Sequence, residues 1–225
     1  MSALTAQRRR QIMTDGLAVS VATGAYGISF GAIAVTSGLD VWQACALSLL
    51  VFTGASQFAF VGVLAAGGAP LSGALTGILL GSRNTLYGLR LAPLLGYRGL
   101  RRAAAAHVLI DESTAMAVTR ESPEAARVGF WTTGIGVFAL WNLATLVGGL
   151  AGDRLGDPRR FGLDAAVGAA FLGLLWPRLT TLRNRLAALL GIAVALVLVP
   201  LTPAGVPVLG AAVVALGLGL IGRRS

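Results

Sequence analysis

Val51-Phe52-Thr53-Gly54-Ala55-Ser56-Gln57-Phe58 is the stretch on which the fold turns. It lies inside an apolar run over residues 41–66. The flanks read as helix, but the centre is small and polar, and a Thr-Gly-Ala-Ser-Gln patch is poor material for an unbroken helix. Backbone that leaves a helix inside a bilayer must be buried in protein or line a watery cavity. Transporters place substrate at such breaks, near the midplane. The patch therefore reads two ways. It is a broken helix forming part of a solute site, or it is a tight helix crossing, because packed membrane helices also use Gly, Ala, Ser and Thr.

The surroundings justify treating the bilayer as the solvent. Of 225 residues, 56% are hydrophobic and 12% are charged, against about 25% charged in an ordinary soluble domain. Eight apolar runs cover residues 16–37, 41–66, 71–95, 103–119, 129–151, 163–176, 186–202 and 205–222. Several reach the roughly 20 residues that span a bilayer. The expected fold is an all-α polytopic transmembrane helical bundle, one integral membrane domain over 1–225. The first run is too long for the core of a cleavable signal, and no small-residue cleavage site stands out. Cys45 is the sole cysteine. It forms neither an internal disulfide nor a cysteine metal site, and it reads as a small core residue.

A net charge of +9 invites a nucleic-acid reading. The distribution argues against it. All 18 basic residues are arginines, mostly in short clusters between apolar runs, as in the cytoplasmic loops of membrane proteins. No basic domain with interleaved aromatics lies outside the apolar runs. Arg8, Arg9 and Arg10 hold the N-terminus inside, and Arg223 and Arg224 do the same for the C-terminus. If all eight runs cross, Arg98, Arg101, Arg102, Arg154, Arg159 and Arg160 fall outside. If the second and sixth runs turn back, those six move inside and only Arg120 and Arg127 move out. The positive-inside rule favours the second arrangement. The sixth run, 14 residues long, rises about 21 Å and is short of a 30 Å core. One span, one returning element and two spans, then the same upside down, make an inverted repeat of roughly 11–120 and 128–225. Gly38-Leu39-Asp40 and Gly162-Leu163-Asp164 open the two returning runs. Gly27 and Gly31 form a GxxxG pair, which predicts a closely packed neighbour for the first span.

Charges inside a membrane each need a reason. Arg83, Tyr87 and Arg90 are spaced i, i+4, i+7 and share a helix face. Arg90 reads most simply as snorkelling to the inner headgroups. Arg83 is either a substrate contact or the partner of Asp111 or Glu112. His107 precedes Asp111 by four residues, one helical turn on the same face, and is either a proton relay or a hydrated end residue. Metal and dinucleotide motifs are missing, and one His with one Cys points to no hydrolytic or redox set. The chain does not read as an enzyme and needs no cofactor.

FTGASQFAFVG, GSRNTLYGLRLAPLL and HVLIDESTA, following GISFGAIA, resemble the large subunit of the AzlC-type branched-chain amino acid permeases. FWTTGIGVFALWNLATLVG and FGLDAAVGAAFLGLL extend the likeness into the later half. The resemblance implies a bacterial inner-membrane transporter that exports valine, leucine, isoleucine and methionine with a small membrane subunit of the AzlD type. The glycines of the last run, Gly210, Gly217, Gly219 and Gly222, suit a partner helix.

A zwitterionic aliphatic amino acid needs three things from a site. Its carboxylate needs Arg or backbone N–H groups at a half-helix start; its ammonium needs an acid; its side chain needs apolar walls. The candidate substrate residues are Phe52, Thr53, Gly54, Ala55, Ser56, Gln57, Arg83, Asn84 and Tyr87, with Phe58 and Phe60 as further wall. Asp111, Glu112 and His107 are the candidate proton-coupling residues, Asp111 foremost. A channel for a small anion or neutral solute, with Arg83 as its selective element, is the alternative. A non-transporting scaffold subunit is the third.

Overall fold

Two long helices, α1 (Ala6–Thr36) and α8 (Pro123–Leu155), lie side by side and form the axis of the fold. The computed structural model describes residues 4–155, 179–203 and 205–221, together with Leu172, Leu175 and Trp176. Among these residues all regular structure is helical. At 1.5 Å per residue the two helices are about 46 and 50 Å long. They are the described helices long and apolar enough to cross a membrane.

The two run in the same direction. Gly129 lies beside Ile12, Gly16 beside Thr133, Gly24 beside Leu140, Gly27 beside Trp141, and Gly152 beside Ala32. Small residues make the approach possible. A Cβ on Gly27 would stand 3.0 Å from the Ala144 Cβ, and one on Gly31 would collide with the Thr145 carbonyl. The GxxxG expectation is met, with α8 as the neighbour. The end that carries Thr5 is called the lower end below. There Leu4 N–H donates to Glu124 at 3.4 Å, and Arg8 pairs with Glu121.

Between the two long helices the chain makes two hairpins that point at each other. The first is α2 (Val41–Leu50) and α3 (Ala55–Ala65). Asp40 caps α2, accepting the Gln43 N–H at 2.8 Å while Gln43 Oε1 accepts from the Asp40 N–H. α2 descends along α8 from the upper end. Val41 meets Gly149, Ser48 meets Thr145, and the Phe52 ring meets Phe138 at 5.1 Å. The helix then breaks where the sequence places the break. Gly54 has φ +62°, a conformation that only glycine adopts freely. α3 climbs back alongside α4 (Pro70–Gly81), with Ser56 facing Gly77 and Gly81, and Phe60 facing Gly73.

α4 continues through Ser82, which keeps helical angles, into α5 (Arg83–Leu95). This segment runs down to the lower end, where the Leu95 carbonyl accepts from Arg127 Nε at 2.9 Å. α6 (Gly99–His107) rises from there, and α7 (Asp111–Val118) returns. Val108 packs on Gly134, the Met116 carbonyl lies against Gly129, and Arg120 reaches Asp15 at 3.4 Å. α9 (Leu182–Leu198) and α10 (Val206–Ile221) form a hairpin whose turn, at Gly205, touches Ser72 and Thr76 of α4.

Two expectations are corrected here. The fourth run is not one helix. It stops at His107 and restarts at Asp111, so the two do not share a helix face one turn apart. It also turns back on itself, which makes α1 and α8 parallel and puts Arg120 and Arg127 at the same end as Arg8. The expected arrangement put them at opposite ends. Arg154, expected beside Arg8, closes α8 at the upper end. The cause of the break is local. Ser113 Oγ accepts the Ile110 N–H at 3.0 Å and donates to the Val108 carbonyl at 2.9 Å, knitting the break. Asp111 and Glu112 sit in the first turn of α7, where the helix dipole favours acids. The sixth run, 163–176, lies almost wholly outside the described residues.

Candidate functional site

The tips of the two hairpins meet at mid-height and enclose a cavity of about 170 Å³. Phe52, Thr53, Gly54 and Ala55 line it from the first hairpin; Ile110, Asp111 and Glu112 line it from the second. Arg83 enters from the top of α5, Thr23 and Tyr26 from α1, Val137 and Trp141 from α8, and Phe58 from α3. The N-termini of α3 and α7 therefore both point at one space, from opposite ends of the bundle. Each helix start carries unpaired N–H groups and about half a positive charge.

Arg83 Nη1 donates to Asp111 Oδ2 at 3.0 Å, and each side chain is about a quarter exposed, 26% and 23%. Arg83 Nε has no hydrogen-bond acceptor among the described residues. Asn84, one residue on, donates from Nδ2 to the Leu109 carbonyl at 3.2 Å. These two contacts tie α5 to the α6–α7 break.

The walls are aromatic. Phe30 stacks on Trp141 at 6.0 Å, and Phe58 meets both edge-on, at 5.6 and 6.1 Å. Trp141 is buried, and its indole N–H, a donor, has no partner among the described residues. Tyr26 carries a phenolic hydroxyl at the cavity edge.

The expected residues divide accordingly. Phe52, Thr53, Gly54, Ala55, Phe58, Arg83, Asp111 and Glu112 come together around the cavity. Gln57 does not line it. The side chain is fully buried and spans the break, Oε1 accepting from the Gly54 N–H at 3.1 Å and Nε2 donating to the Leu47 carbonyl at 3.3 Å. Ser56 is buried against the α4 glycines. Tyr87 packs on the lower core, and Phe60 packs on Gly73. His107 is exposed, its ring edge-on to Phe138 at 5.4 Å. Thr23, Tyr26, Ile110, Val137 and Trp141 are cavity residues that sequence reasoning did not single out. Trp141 carried a usable signal, because an indole N–H in an apolar span needs a partner.

The described residues form an all-helical bundle, with two helices long and apolar enough to cross a membrane, that closes over a small, mostly apolar cavity. The chain belongs to the AzlC family, whose profile, described as AzlC protein, matches residues 18–155. An uncharacterized membrane protein of Archaeoglobus fulgidus is 34% identical over 182 residues, covering 79% of this chain and 80% of its own length. One from Helicobacter pylori strain ATCC 700392 / 26695 is 27% identical over 173 residues, covering 76% and 75%. No solved structure matches.

Proposed function

We propose that the chain is the large subunit of a two-component carrier that exports branched-chain amino acids across the bacterial cytoplasmic membrane. The observation that carries this reading is the convergence of two helix N-termini and the Arg83–Asp111 pair on one aromatic-walled cavity at mid-height. Half-helix starts aimed at an anionic group are how several carriers hold a substrate carboxylate. Arg83 Nε, the Trp141 indole N–H and the α3 tip supply donors for it; Asp111 and Glu112 supply acceptors for the ammonium. Phe52, Phe58, Ile110 and Val137 receive the side chain. A dry cavity of roughly 150 Å³ accommodates a molecule the size of benzene, so about 170 Å³ suits a branched aliphatic chain.

Orientation follows from charge. Arg8, Arg9, Arg10, Arg98, Arg101, Arg102, Arg120 and Arg127 lie at the lower end, and Arg154 lies at the upper. The positive-inside rule then makes the lower end cytoplasmic. In this orientation α2–α3 is a re-entrant pair from outside and α6–α7 is one from inside. A span plus a re-entrant pair, α1–α3, is followed by its inverted counterpart, α4–α7. Asp111 is the acid assigned to proton coupling, since it lines the cavity and pairs there with Arg83. A small AzlD-type subunit would cover apolar surface such as that around Gly217, where a Cβ would meet open space.

The test is reconstitution in proteoliposomes, with and without a candidate small subunit, using labelled leucine, valine, isoleucine and methionine. Saturable counterflow of these, resistant to glutamate and arginine, is expected. One buried methylene contributes about 0.8 kcal/mol, so valine and leucine should differ by only about fourfold in affinity. Unsaturable flux would indicate a channel, and no flux with both subunits present would refute the proposal.

A further inference from the structure

We infer that the groove between α5 and α6 binds an anionic phospholipid of the inner leaflet. The inference uses the membrane orientation above but not the transport reading. The groove has a volume of about 660 Å³ and lies below the central cavity. Gly88, Leu89 and Ala92 form one wall, and Ala105, Ala106 and Leu109 form the other. Glycine and alanine at these positions leave a cleft between two helices where larger side chains would close it. Leu89 is 69% exposed, so the cleft opens sideways onto the apolar outer surface of the bundle. α5, with 13 residues, rises about 20 Å. One leaflet with its headgroup region is of similar depth, half of roughly 40–45 Å.

The lower mouth of the cleft carries Arg98 and Arg102. Neither appears in an ion pair among the described residues, where the pairs use Arg8, Arg83 and Arg120. The whole stretch 41–110 contains no Asp or Glu. The guanidinium groups therefore face no carboxylate from the elements that build the groove. Nearby, Trp131 Nε1 donates to the Tyr97 hydroxyl at 2.8 Å, the kind of aromatic pair that marks a membrane interface. An apolar cleft one leaflet deep, with two cations at headgroup level, matches a phosphate held at the lower mouth with its acyl chain rising into the cleft. A water-filled substrate vestibule would use the same arginines, but it would not open through an exposed leucine wall.

The experiment measures lipid binding to the purified, delipidated protein by native mass spectrometry, with dioleoyl-phosphatidylglycerol and dioleoyl-phosphatidylcholine as probes. The phosphatidylglycerol is expected to bind more tightly. An arginine beside an anionic headgroup contributes roughly fivefold, so Arg98→Gln with Arg102→Gln should weaken it about 25-fold. Arg101→Gln belongs to the same basic cluster but does not line the groove, and it should change affinity less than twofold. Ala106→Trp fills the cleft with both arginines intact and should also abolish the preference. Equal losses from Arg101→Gln and the double variant would overturn the site in favour of diffuse charge. Equal affinity for the two lipids would overturn it as well. Full competition by inorganic phosphate, with Ala106→Trp silent, would reduce the groove to a phosphate contact and overturn the lipid assignment.

Discussion

Arg83 and Asp111 meet at 3.0 Å across the middle of the bundle, joining residues 28 apart in sequence. The pair locks the top of α5 to the first turn of α7 at the rim of the cavity. Removing one partner of a buried pair leaves the other charge uncompensated, which costs about 3–5 kcal/mol when burial is complete. Here about a quarter of each side chain is exposed, so about 1–3 kcal/mol is expected for Arg83→Gln. A double-mutant cycle with Asp111→Asn, read by thermal unfolding in detergent, should return a coupling in that range. In proteoliposomes Asp111→Asn should lose counter-gradient transport under a pH gradient while keeping substrate exchange. Normal gradient-driven transport would remove Asp111 from coupling.

Gly54 tests the break. No atom lies within 4 Å of where its Cβ would stand, so space is not the constraint there. The constraint is φ +62° with ψ −91°, outside the left-handed helical region, which costs an L-residue about 1–3 kcal/mol. Gly54→Ala should therefore impair transport nearly as much as Gly54→Leu, with the protein still inserted. A fully active alanine variant would show that the hairpin tip can relax.

Gln57→Ala should act on stability first. The side chain satisfies one backbone group on each side of the break and is fully buried. Losing both bonds and leaving a void should cost about 2–4 kcal/mol. A lowered melting temperature is expected, with apparent substrate affinity changed little in the folded fraction. A large affinity loss at unchanged melting temperature would place Gln57 in contact with substrate.

The hairpins predict a labelling pattern. In a Cys45→Ser background, cysteines at Leu100 and Glu124 should react with an impermeant thiol reagent only from the cytoplasmic side. Cysteines at Ala69 and Asp153 should react only from outside. Labelling of positions 100 and 124 from opposite sides would mean that α6–α7 crosses the membrane.

Composition by itself determined the class, because a chain this apolar with so few charges has to bury or lipid-solvate its helices. Local chemistry also determined the first break, where a glycine among small polar residues cannot hold a helix, and the close face of α1, where only small side chains admit α8. Asp111-Glu112-Ser113-Thr114 is a helix-start signal of the same local kind, legible but masked by the apolar run around it. Only the tertiary structure decided where the chain goes after each break. α6 and α7, with 9 and 8 residues, rise about 14 and 12 Å, and the same two pieces could run on to cross a bilayer or fold back within it. What selects the return is contact between residues far apart in sequence: Val108 seated on Gly134, Met116 against Gly129, Arg120 on Asp15. Such contacts leave no periodic trace in either segment, and arginine counting weighs loops without seeing which helices pack. The cavity is nonlocal for the same reason, since its walls come from α1, α3, α5, α8 and both hairpin tips.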